Sequence, residues 1–325
     1  MHEIDIVVAW VDGHDTKLKK KRHQYMTGQD TSDAINETRF ASNNEIYYNI
    51  ASILKYVPFC RHIYIVTDQQ QPQWIDEFAR QGLCDTQKIR IVDHTEIFTG
   101  YEQYLPTFNT RSIESMLWNI RGLSDYFIYL NDDFFFNSVA KIEDFLQHNQ
   151  LVVYGHWQSN LLLKIKLKYR QFLHAKFAKP VQPKHMIAQM LSADILGMNQ
   201  FFEIHHYPHI VDRKILRDYL LAHPQRLETQ LKFKFRNVAQ INPITLMNHL
   251  KVQKQQAILK PDLPLAYLKN EQTLDNFIIA IQNQDIKYGC IQSLDQFSQP
   301  AADQVLNAMS EKFTDFLPAS LHIAN

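Results

Sequence analysis

The chain has 325 residues, 45% hydrophobic and 12% aromatic, a composition that excludes wholesale disorder and fits one large domain or two modest ones. Lys and Arg number 34 and so do Asp and Glu, and this balance argues against a nucleic-acid partner. Three cysteines (60, 84 and 290) are too few for a disulfide framework, and no run of about 18 apolar residues predicts a membrane span, so we expect a cytoplasmic protein.

The first half of the chain alternates strand-like and helix-like patterns. It opens on MHEIDIVVAWVDG, a short apolar run with acids at both ends, which is unlike a signal peptide. Strands are predicted at 4–10, 62–67, 88–92 and 126–130, and helices at 43–55, 73–80 and 112–120. Asn43 or Asn44 is the expected cap of the first helix. This alternation predicts an α/β fold with a Rossmann-like, mostly parallel sheet and helices on both faces.

Polar residues follow each of the four predicted strands. They are Asp12, Asp68, Asp93 with His94, and Asn131 with Asp132 and Asp133. Taken alone, the last group could simply cap a turn. Because ligands gather at the carboxyl ends of parallel strands, four polar ends predict a site, and Asp132 and Asp133 suit Mg²⁺ or Mn²⁺. The eight glycines form no cluster, so a P-loop and a dinucleotide-binding turn are both excluded, and any phosphate must be held by side chains and metal.

A basic segment follows this half of the chain. No acidic residue occurs between 145 and 193, and the stretch 164–184 interleaves Lys164, Lys166, Lys168, Arg170, Lys176 and Lys179 with apolar residues. Such a stretch is either an exposed strand or helix kept soluble by its lysines, or a basic face for a polyanion or an anionic membrane surface. From residue 194 onward the chain is predicted to be mainly helical.

Two further patterns carry chemistry. In HHYPHIVDR (205–213), a loop feeding a helix, His206 and His209 could bind metal, act as acid and base, or contact a phosphate. In LKFKFRN (231–237), basic residues alternate with phenylalanines, which predicts one basic face of a strand or merely an exposed strand face. The planar guanidinium of Arg236 in this segment matches phosphate oxygens.

In this order the segments resemble the Stealth family, which includes bacterial capsular and exopolysaccharide phosphotransferases and the animal lysosomal-enzyme N-acetylglucosamine phosphotransferase. The resemblance covers nearly the whole chain. Its blocks are IDIVVAWVDGHD (4–15), RFASNNEIYYNIASILKYVPFCRHIYIVTDQQQPQW (39–74) continuing to GLSDYFIYLNDDFFF (122–136), then HHYPHIVDR with KFRN, and a weaker fourth block near the end.

The resemblance implies transfer of a sugar 1-phosphate from a nucleotide sugar, a UDP-sugar by expectation, to a hydroxyl of a glycan or lipid-linked oligosaccharide. The catalytic candidates are Asp132 and Asp133, which also hold the metal, His206 or His209 as base or phosphate contact, and Arg236 as phosphate clamp. Either aspartate could instead be the base. The implied substrate contacts are Asp5, Trp10, Asp12, Arg39, Asp68, Asn109 and Arg111.

Two other functions remain open from the sequence. One is a metal-dependent glycosyltransferase that releases a nucleoside diphosphate, and the other is a non-catalytic polyanion-binding protein. The expected organisation is a nucleotide-sugar-binding core at 1–144, a basic insertion at 145–200, and a mainly helical part at 201–325 that completes the active site. Peripheral association with the inner face of the cell membrane through 164–184 is also expected.

Overall fold

The structure is a computed structural model that describes residues 3–27, 30–32, 34–177 and 181–323. Strands in this part of the chain are β1 Ile4–Ala9, β2 Cys60–Thr67, β3 Ile89–Asp93, β4 Tyr126–Asn131, β5 Phe134–Phe136, β6 Leu146–Gln147, β7 Gln150–Tyr154, β8 His156–Ser159, β9 Gln200–Glu203, β10 His209–Asp212, β11 Ala257–Lys260, β12 Leu265–Leu268 and β13 Tyr288–Ile291. The α-helices are α1 Thr16–Tyr25, α2 Glu45–Tyr56, α3 Ile75–Arg80, α4 His94–Ile97, α5 Thr110–Glu114, α6 Asn160–Phe177, α7 His185–Asp194, α8 Arg213–Ala222, α9 Pro224–Leu231, α10 Pro243–Gln253, α11 Leu274–Gln282, α12 Gln299–Phe313 and α13 Ala319–Ile323.

The main sheet has five strands in the order β10-β4-β1-β2-β3. The pairs β4-β1, β1-β2 and β2-β3 are parallel, and β10 is antiparallel to β4. The central strand β1 is buried along almost its whole length, as its unbroken apolar run predicts. The predicted α/β class with a mostly parallel sheet and a helical C-terminal part is therefore confirmed, and the carboxyl ends of the four parallel strands lie side by side.

Later segments complete this edge of the sheet. β13 pairs antiparallel with β5 and places the residues that follow it beside the β4–β5 turn. β10 brings the preceding loop, which contains His206, to the same edge. One hydrophobic core runs from Ile4 to Leu321, so distant parts of the chain share it. The division at residues 144 and 200 stays a prediction.

Two local expectations were wrong. The helix predicted at 112–120 ends at Glu114 and continues as a 3₁₀ turn, because the chain bends to bury Trp118, whose indole donates to the Ser115 carbonyl at 2.7 Å. Residues 232–236 form no strand, because their backbone carbonyls accept from the Asn109 side chain and the Phe108 N–H instead of from a neighbouring strand.

The cap of α2 lies at a predicted residue, but its side chain does not make the expected capping bond. Asn44 occupies the cap position with a φ of 70° and its side chain makes no capping bond. The carboxylate of Glu45, the first residue of the helix, instead accepts from the Asn43 backbone N–H. The basic segment, for which strand and helix were both open, forms the long helix α6, and Lys179 lies outside the described residues.

Candidate active site

A cavity of about 360 Å³ opens at the carboxyl edge of the main sheet. Its wall combines strand ends with segments from six other parts of the chain. The polar lining residues are Asn36, Thr38, Arg39, Asn43, Glu45, Asp68, His94, Thr107, Thr110, Asn131, Asp132, Asp133, His206, Arg236, Gln292, Ser293 and Asp295. The predicted site edge and the cavity therefore coincide.

Asp132 and Asp133 form the tight connection between β4 and β5. The buried amide of Asn49, on α2, fixes this turn by donating to the carbonyls of Asn131 at 3.0 Å and Phe134 at 2.8 Å. On the other side, the Ile291 N–H donates to the Asp133 carbonyl at 2.8 Å. These hydrogen bonds fix the backbone of the turn, from which both carboxylates reach the cavity.

No protein cation neutralises this carboxylate pair by direct contact among the described residues. Burial, Asp133 and Glu45 together raise the pKa of Asp132 well above its usual range. Burial and the nearby Glu45 raise the pKa of Asp133 to about 7. Its Oδ2 faces the Cys290 thiol at 3.6 Å, and its Oδ1 is buried without a hydrogen-bond partner. A cluster of buried acids with an orphaned oxygen calls for a positive group.

The donor set fits a hard divalent cation. Carboxylate oxygens are the ligands that Mg²⁺ and Mn²⁺ prefer, and the orphaned Oδ1 of Asp133 is a ready ligand atom. Asp132 and Asp133 alone do not complete the coordination of a metal ion. This agrees with Mg²⁺ sites in general, in which several ligands are waters or substrate oxygens. Glu45, also in the cavity wall, adds to the negative potential.

The structure separates the two candidate histidines. His206 lines the cavity, where its ring stacks on Tyr267 with centroids 5.6 Å apart. Burial, with the nearby His205 and Arg236, lowers its pKa, so the imidazole is neutral and able to accept a proton at neutral pH. His209 is outside the cavity wall and its Nε2 faces the His205 carbonyl at 3.1 Å. Burial lowers the pKa of His209 to about 4.

Arg236 projects into the cavity from the irregular segment after α9, and its Nη2 donates to Thr110 Oγ1 at 3.1 Å. Asn109 and Arg111 do not line the cavity but support this segment. Asn109 donates to the Phe235 carbonyl at 2.9 Å, and Arg111 donates to the Asn237 carbonyl at 3.0 Å. These two side chains therefore hold both neighbours of Arg236 in place.

Three more predicted contacts reach the cavity: Trp10, Arg39 and Asp68. The carboxylate of Asp68 is paired with Lys21, with Nζ–Oδ distances of 2.7 and 2.8 Å. Asp12 directly follows the lining residue Val11 but does not itself line the cavity. Its carboxylate accepts from the His14 N–H at 2.8 Å.

Asp5 lies at the opposite end of β1, where it pairs in register with Phe127 at the start of β4. Its buried carboxylate accepts from Arg61 at 2.6 and 2.9 Å and from the Ser124 N–H at 2.7 Å. Burial alone would raise the pKa of Asp5, but these hydrogen bonds hold it below its usual value. Asp5 therefore joins the amino ends of the strands and lies away from the cavity, which argues against the predicted substrate contact.

Several site residues were missed from the sequence. Only folding brings Glu45 and Asp295 into the cavity wall with the aspartate pair and Cys290 to Asp133, although the acid of NNE at the start of a predicted helix was a visible signal. Glu114 is buried behind the wall, where burial raises its pKa to about 7 against the opposing charges of Arg236 and Arg111. Tyr129 donates to it at 3.2 Å.

The fold and cavity define an α/β protein with an acidic cleft at the carboxyl ends of parallel strands. Residues 39–154 of the chain match the sequence profile of Stealth protein CR2, conserved region 2. The matched region contains α2 and the β4–β5 turn with Asp132 and Asp133. The resemblance to the Stealth proteins is thereby confirmed, with conserved region 2 identified in this chain.

Curated relatives agree with this match. The chain is 43% identical over 149 residues to the capsular polysaccharide phosphotransferase cps1A of Actinobacillus pleuropneumoniae, a match covering 45% of this chain and 39% of the relative. It is 33% identical over 207 residues to the capsular polysaccharide phosphotransferase LcbA of Aeromonas hydrophila, covering 62% of this chain and 51% of the relative. The matches thus span about two fifths to half of the relatives' length.

Among solved structures, the galactosyltransferase LgtC in complex with donor and acceptor sugar analogues aligns with a TM-score of 0.47 at 12% identity. The alignment covers 95% of this chain and 96% of that one. This likeness is too weak to carry an argument, and the fold is established by the strand order alone. Within the described residues, none of the helices has the length and apolar character needed to cross a membrane.

Proposed function

We propose that the protein transfers a sugar 1-phosphate from a nucleotide sugar, a UDP-sugar in our proposal, to a hydroxyl of a glycan acceptor in capsular or exopolysaccharide synthesis. One observation carries the proposal: the cavity combines two acids that no described cation contacts directly, Asp132 and Asp133, with an arginine, Arg236, and a neutral histidine, His206. The names of the curated relatives support the reaction class.

In this reaction the acceptor oxygen forms a bond to the phosphorus that bears the sugar, and the bond from that phosphorus to the nucleoside monophosphate breaks. His206 accepts the proton of the attacking hydroxyl, since its ring faces the cavity and is neutral. Arg236 holds the phosphoryl oxygens with its planar fork.

Asp132 and Asp133 would hold Mg²⁺ or Mn²⁺, which when bound would offset negative charge on the phosphoryl and leaving oxygens. Trp10, Arg39 and Asp68, on the same wall, are proposed to contact the nucleotide sugar. Asn109 and Arg111 act at one remove, by positioning the segment of Arg236.

The products distinguish the reaction classes. Purified protein incubated with Mg²⁺, a panel of UDP-sugars and acceptor oligosaccharides is expected to release UMP and form a phosphodiester, detected by ³¹P NMR and mass spectrometry. Release of UDP with a new glycosidic bond would replace the proposal with glycosyl transfer. Absence of any turnover, with polysaccharide binding that survives loss of both aspartates and of metal, would favour a polyanion-binding protein.

We also propose that α6 binds the anionic inner surface of the cell membrane. Five large side chains on one face of this helix are exposed to solvent: Leu161, Leu162, Ile165, Tyr169 and Phe172, each by 56–66%. Their spacing of three and four residues places them on one stripe, while Leu167 on the other side packs against the protein.

The charges of α6 favour an anionic lipid surface as its partner. Lys166 and Lys168 flank the apolar stripe, Lys164 is paired with Asp194, and no acidic residue occurs in the helix. An apolar face edged by lysines is the arrangement that interfacial helices use, with the stripe among the acyl chains and the ammonium groups at the phosphates.

Vesicles test this surface. Wild-type protein is expected to co-sediment with phosphatidylglycerol vesicles and much less with phosphatidylcholine vesicles, and the triple change Ile165→Ser, Tyr169→Ser and Phe172→Ser should weaken binding by at least about 10-fold, because less apolar area enters the bilayer. Ile279→Ser, at an equally exposed residue of α11 (68%), is the matched control and should bind like wild type. Equal binding to both lipids would contradict the preference for an anionic surface. A dimer that the triple change dissociates would show that a second copy of the chain covers α6.

A further inference from the structure

A second group of ligand-type side chains lies outside the proposed catalytic cavity. It consists of His156, His205 and Asp262, the His156 cluster, whose ligand atoms all lie within 4.8 Å of one another. It is the only such set of three His, Cys, Asp or Glu residues within the described ranges. None of its members lines the cavity.

Folding brings this cluster together from three segments. His156 is the first residue of β8, His205 follows the end of β9, and Asp262 lies in the connection from β11 to β12. β8 and β9 are antiparallel neighbours in which His156 pairs with Glu203. The tight approach of the two strands depends on Gly155, because a Cβ there would lie 2.0 Å from the Glu203 carbonyl oxygen.

Two imidazoles converge on one carboxylate. His156 Nδ1 is 2.7 Å from Asp262 Oδ2, and His205 Nε2 is 3.4 Å from Asp262 Oδ1. The two rings are stacked, with centroids 5.5 Å apart and an angle of 29° between their planes. A carboxylate needs only one protonated histidine for charge balance, whereas two imidazole nitrogens and a carboxylate oxygen within 4.8 Å of one another are close enough to share one metal ion.

The groups behind His156 match those found behind metal-bound histidines. Its remaining nitrogen, Nε2, lies 2.9 Å from the Gln158 amide nitrogen and 3.6 Å from a Glu203 carboxylate oxygen. A ligating histidine usually donates its second N–H to an acceptor such as this carboxylate, which fixes the ring and raises its basicity. Gln158 can offer its oxygen instead of its nitrogen by a simple amide flip.

We propose that the His156 cluster binds Zn²⁺ through His156 Nδ1, His205 Nε2 and the Asp262 carboxylate. Two imidazole nitrogens and one carboxylate oxygen are ligands that Zn²⁺ commonly binds, whereas Mg²⁺ prefers oxygen ligands alone. The three side chains are 36–41% exposed, so the ion can enter and a water can complete the coordination.

The consequence of this site is local order. The ion would tie the β8–β9 pair to the β11–β12 connection, across the segment that runs from β9 to β10. That segment includes His206, the neighbour of His205 in the chain and the histidine of the cavity wall. The zinc site itself does not depend on the proposed transfer reaction, because its residues and its test are separate.

Metal binding alone is the test. Untagged protein stripped with chelator is expected to bind one Zn²⁺ with a dissociation constant of about 1 μM or tighter by calorimetry, and the bound ion should raise the melting temperature. Co²⁺ at the same site should give visible absorption bands that Zn²⁺ abolishes. His156→Ala and Asp262→Asn should each weaken binding by more than about 100-fold and remove the thermal shift.

His23→Ala, at an exposed histidine of α1, is the matched control and should bind Zn²⁺ like wild type. Far-UV circular dichroism of the metal-free variants verifies their folding. We expect the fold to be kept, because the substituted side chains are partly exposed. The proposal is overturned if the stripped wild-type protein binds no Zn²⁺ or Co²⁺, or if His156→Ala and Asp262→Asn together leave the affinity unchanged.

Discussion

Asp133→Asn is expected to reduce sugar-phosphate transfer by at least about 1,000-fold while leaving the protein folded. The change removes half of the carboxylate pair and replaces the orphaned Oδ1 by a neutral amide. The measurement is kcat/KM for nucleoside monophosphate release at saturating Mg²⁺, together with a Mg²⁺ titration. Asp132→Asn should show a similar loss.

The same substitution has the opposite effect on stability. Because burial and Glu45 raise the pKa of Asp133 from 3.8 to about 7, the folded state holds this proton more tightly than the unfolded chain does. Ionisation therefore costs stability as the pH rises between these values, and the full cost is present above about 7. In chelator at pH 8, Asp133→Asn should melt at or above the wild-type temperature.

Asp85→Asn, at an exposed loop carboxylate, is the matched control for both measurements and should leave the rate and the melting temperature unchanged. A rate for Asp133→Asn within a few-fold of wild type would remove this residue from the proposed machinery. A lower melting temperature in chelator would instead mean that the carboxylate has a stabilising partner.

Arg236→Ala is the second large effect, with an expected fall of about 100- to 1,000-fold in kcat/KM, because the guanidinium is proposed to hold charge that builds on the phosphoryl oxygens. Arg236→Lys should recover little of this loss, since an ammonium group keeps the charge but not the planar fork. Product release assays with the same UDP-sugar and acceptor measure both variants.

Lys232→Ala removes an exposed cation from the same segment and is the control. It should retain wild-type kcat/KM, which would separate a specific clamp from a general loss of positive charge. Full activity of Arg236→Lys would show that charge alone is needed, and full activity of Arg236→Ala would exclude the clamp.

The sequence predicted the four parallel strands of the main sheet well because their runs are short and strongly apolar, and β1, β2 and β4 are mostly buried. It did not predict the fifth strand, β10, which lies in a segment expected to be a loop. Strand-like runs at β1, β2, β3 and β4 were each recognised to within about two residues, and their parallel pairing follows from the helices between them. The polar ends of these strands then predicted the edge at which the cavity lies.

Residues that meet through long-range packing were beyond sequence patterns. Glu45 reads as an ordinary acid at a helix start, and Cys290 lies 157 positions from its contact with Asp133. The pairing of β13 with β5 brings Cys290 to Asp133, and the sequence of neither short strand indicates its partner.

Individual roles were decided by the same long-range geometry. The sequence left His206 and His209 equivalent, but the antiparallel strand β10 holds His209 in the sheet beside β4 and leaves His206 in the preceding loop at the cavity. Likewise Asp5 lies near the start of β1 and Asp12 follows its end, so the strand places them at opposite edges of the sheet.

By itself the sequence determined the fold class, the acidic strand ends and the similarity to Stealth proteins, because all three are written in local runs of residues. Only the tertiary structure decided which acids share the cavity, that Asn109 and Arg111 support Arg236 from behind, and that the basic segment is a helix with an uncovered apolar face. It also assembled His156, His205 and Asp262, since ligands drawn from three separate segments leave no spacing motif in the chain.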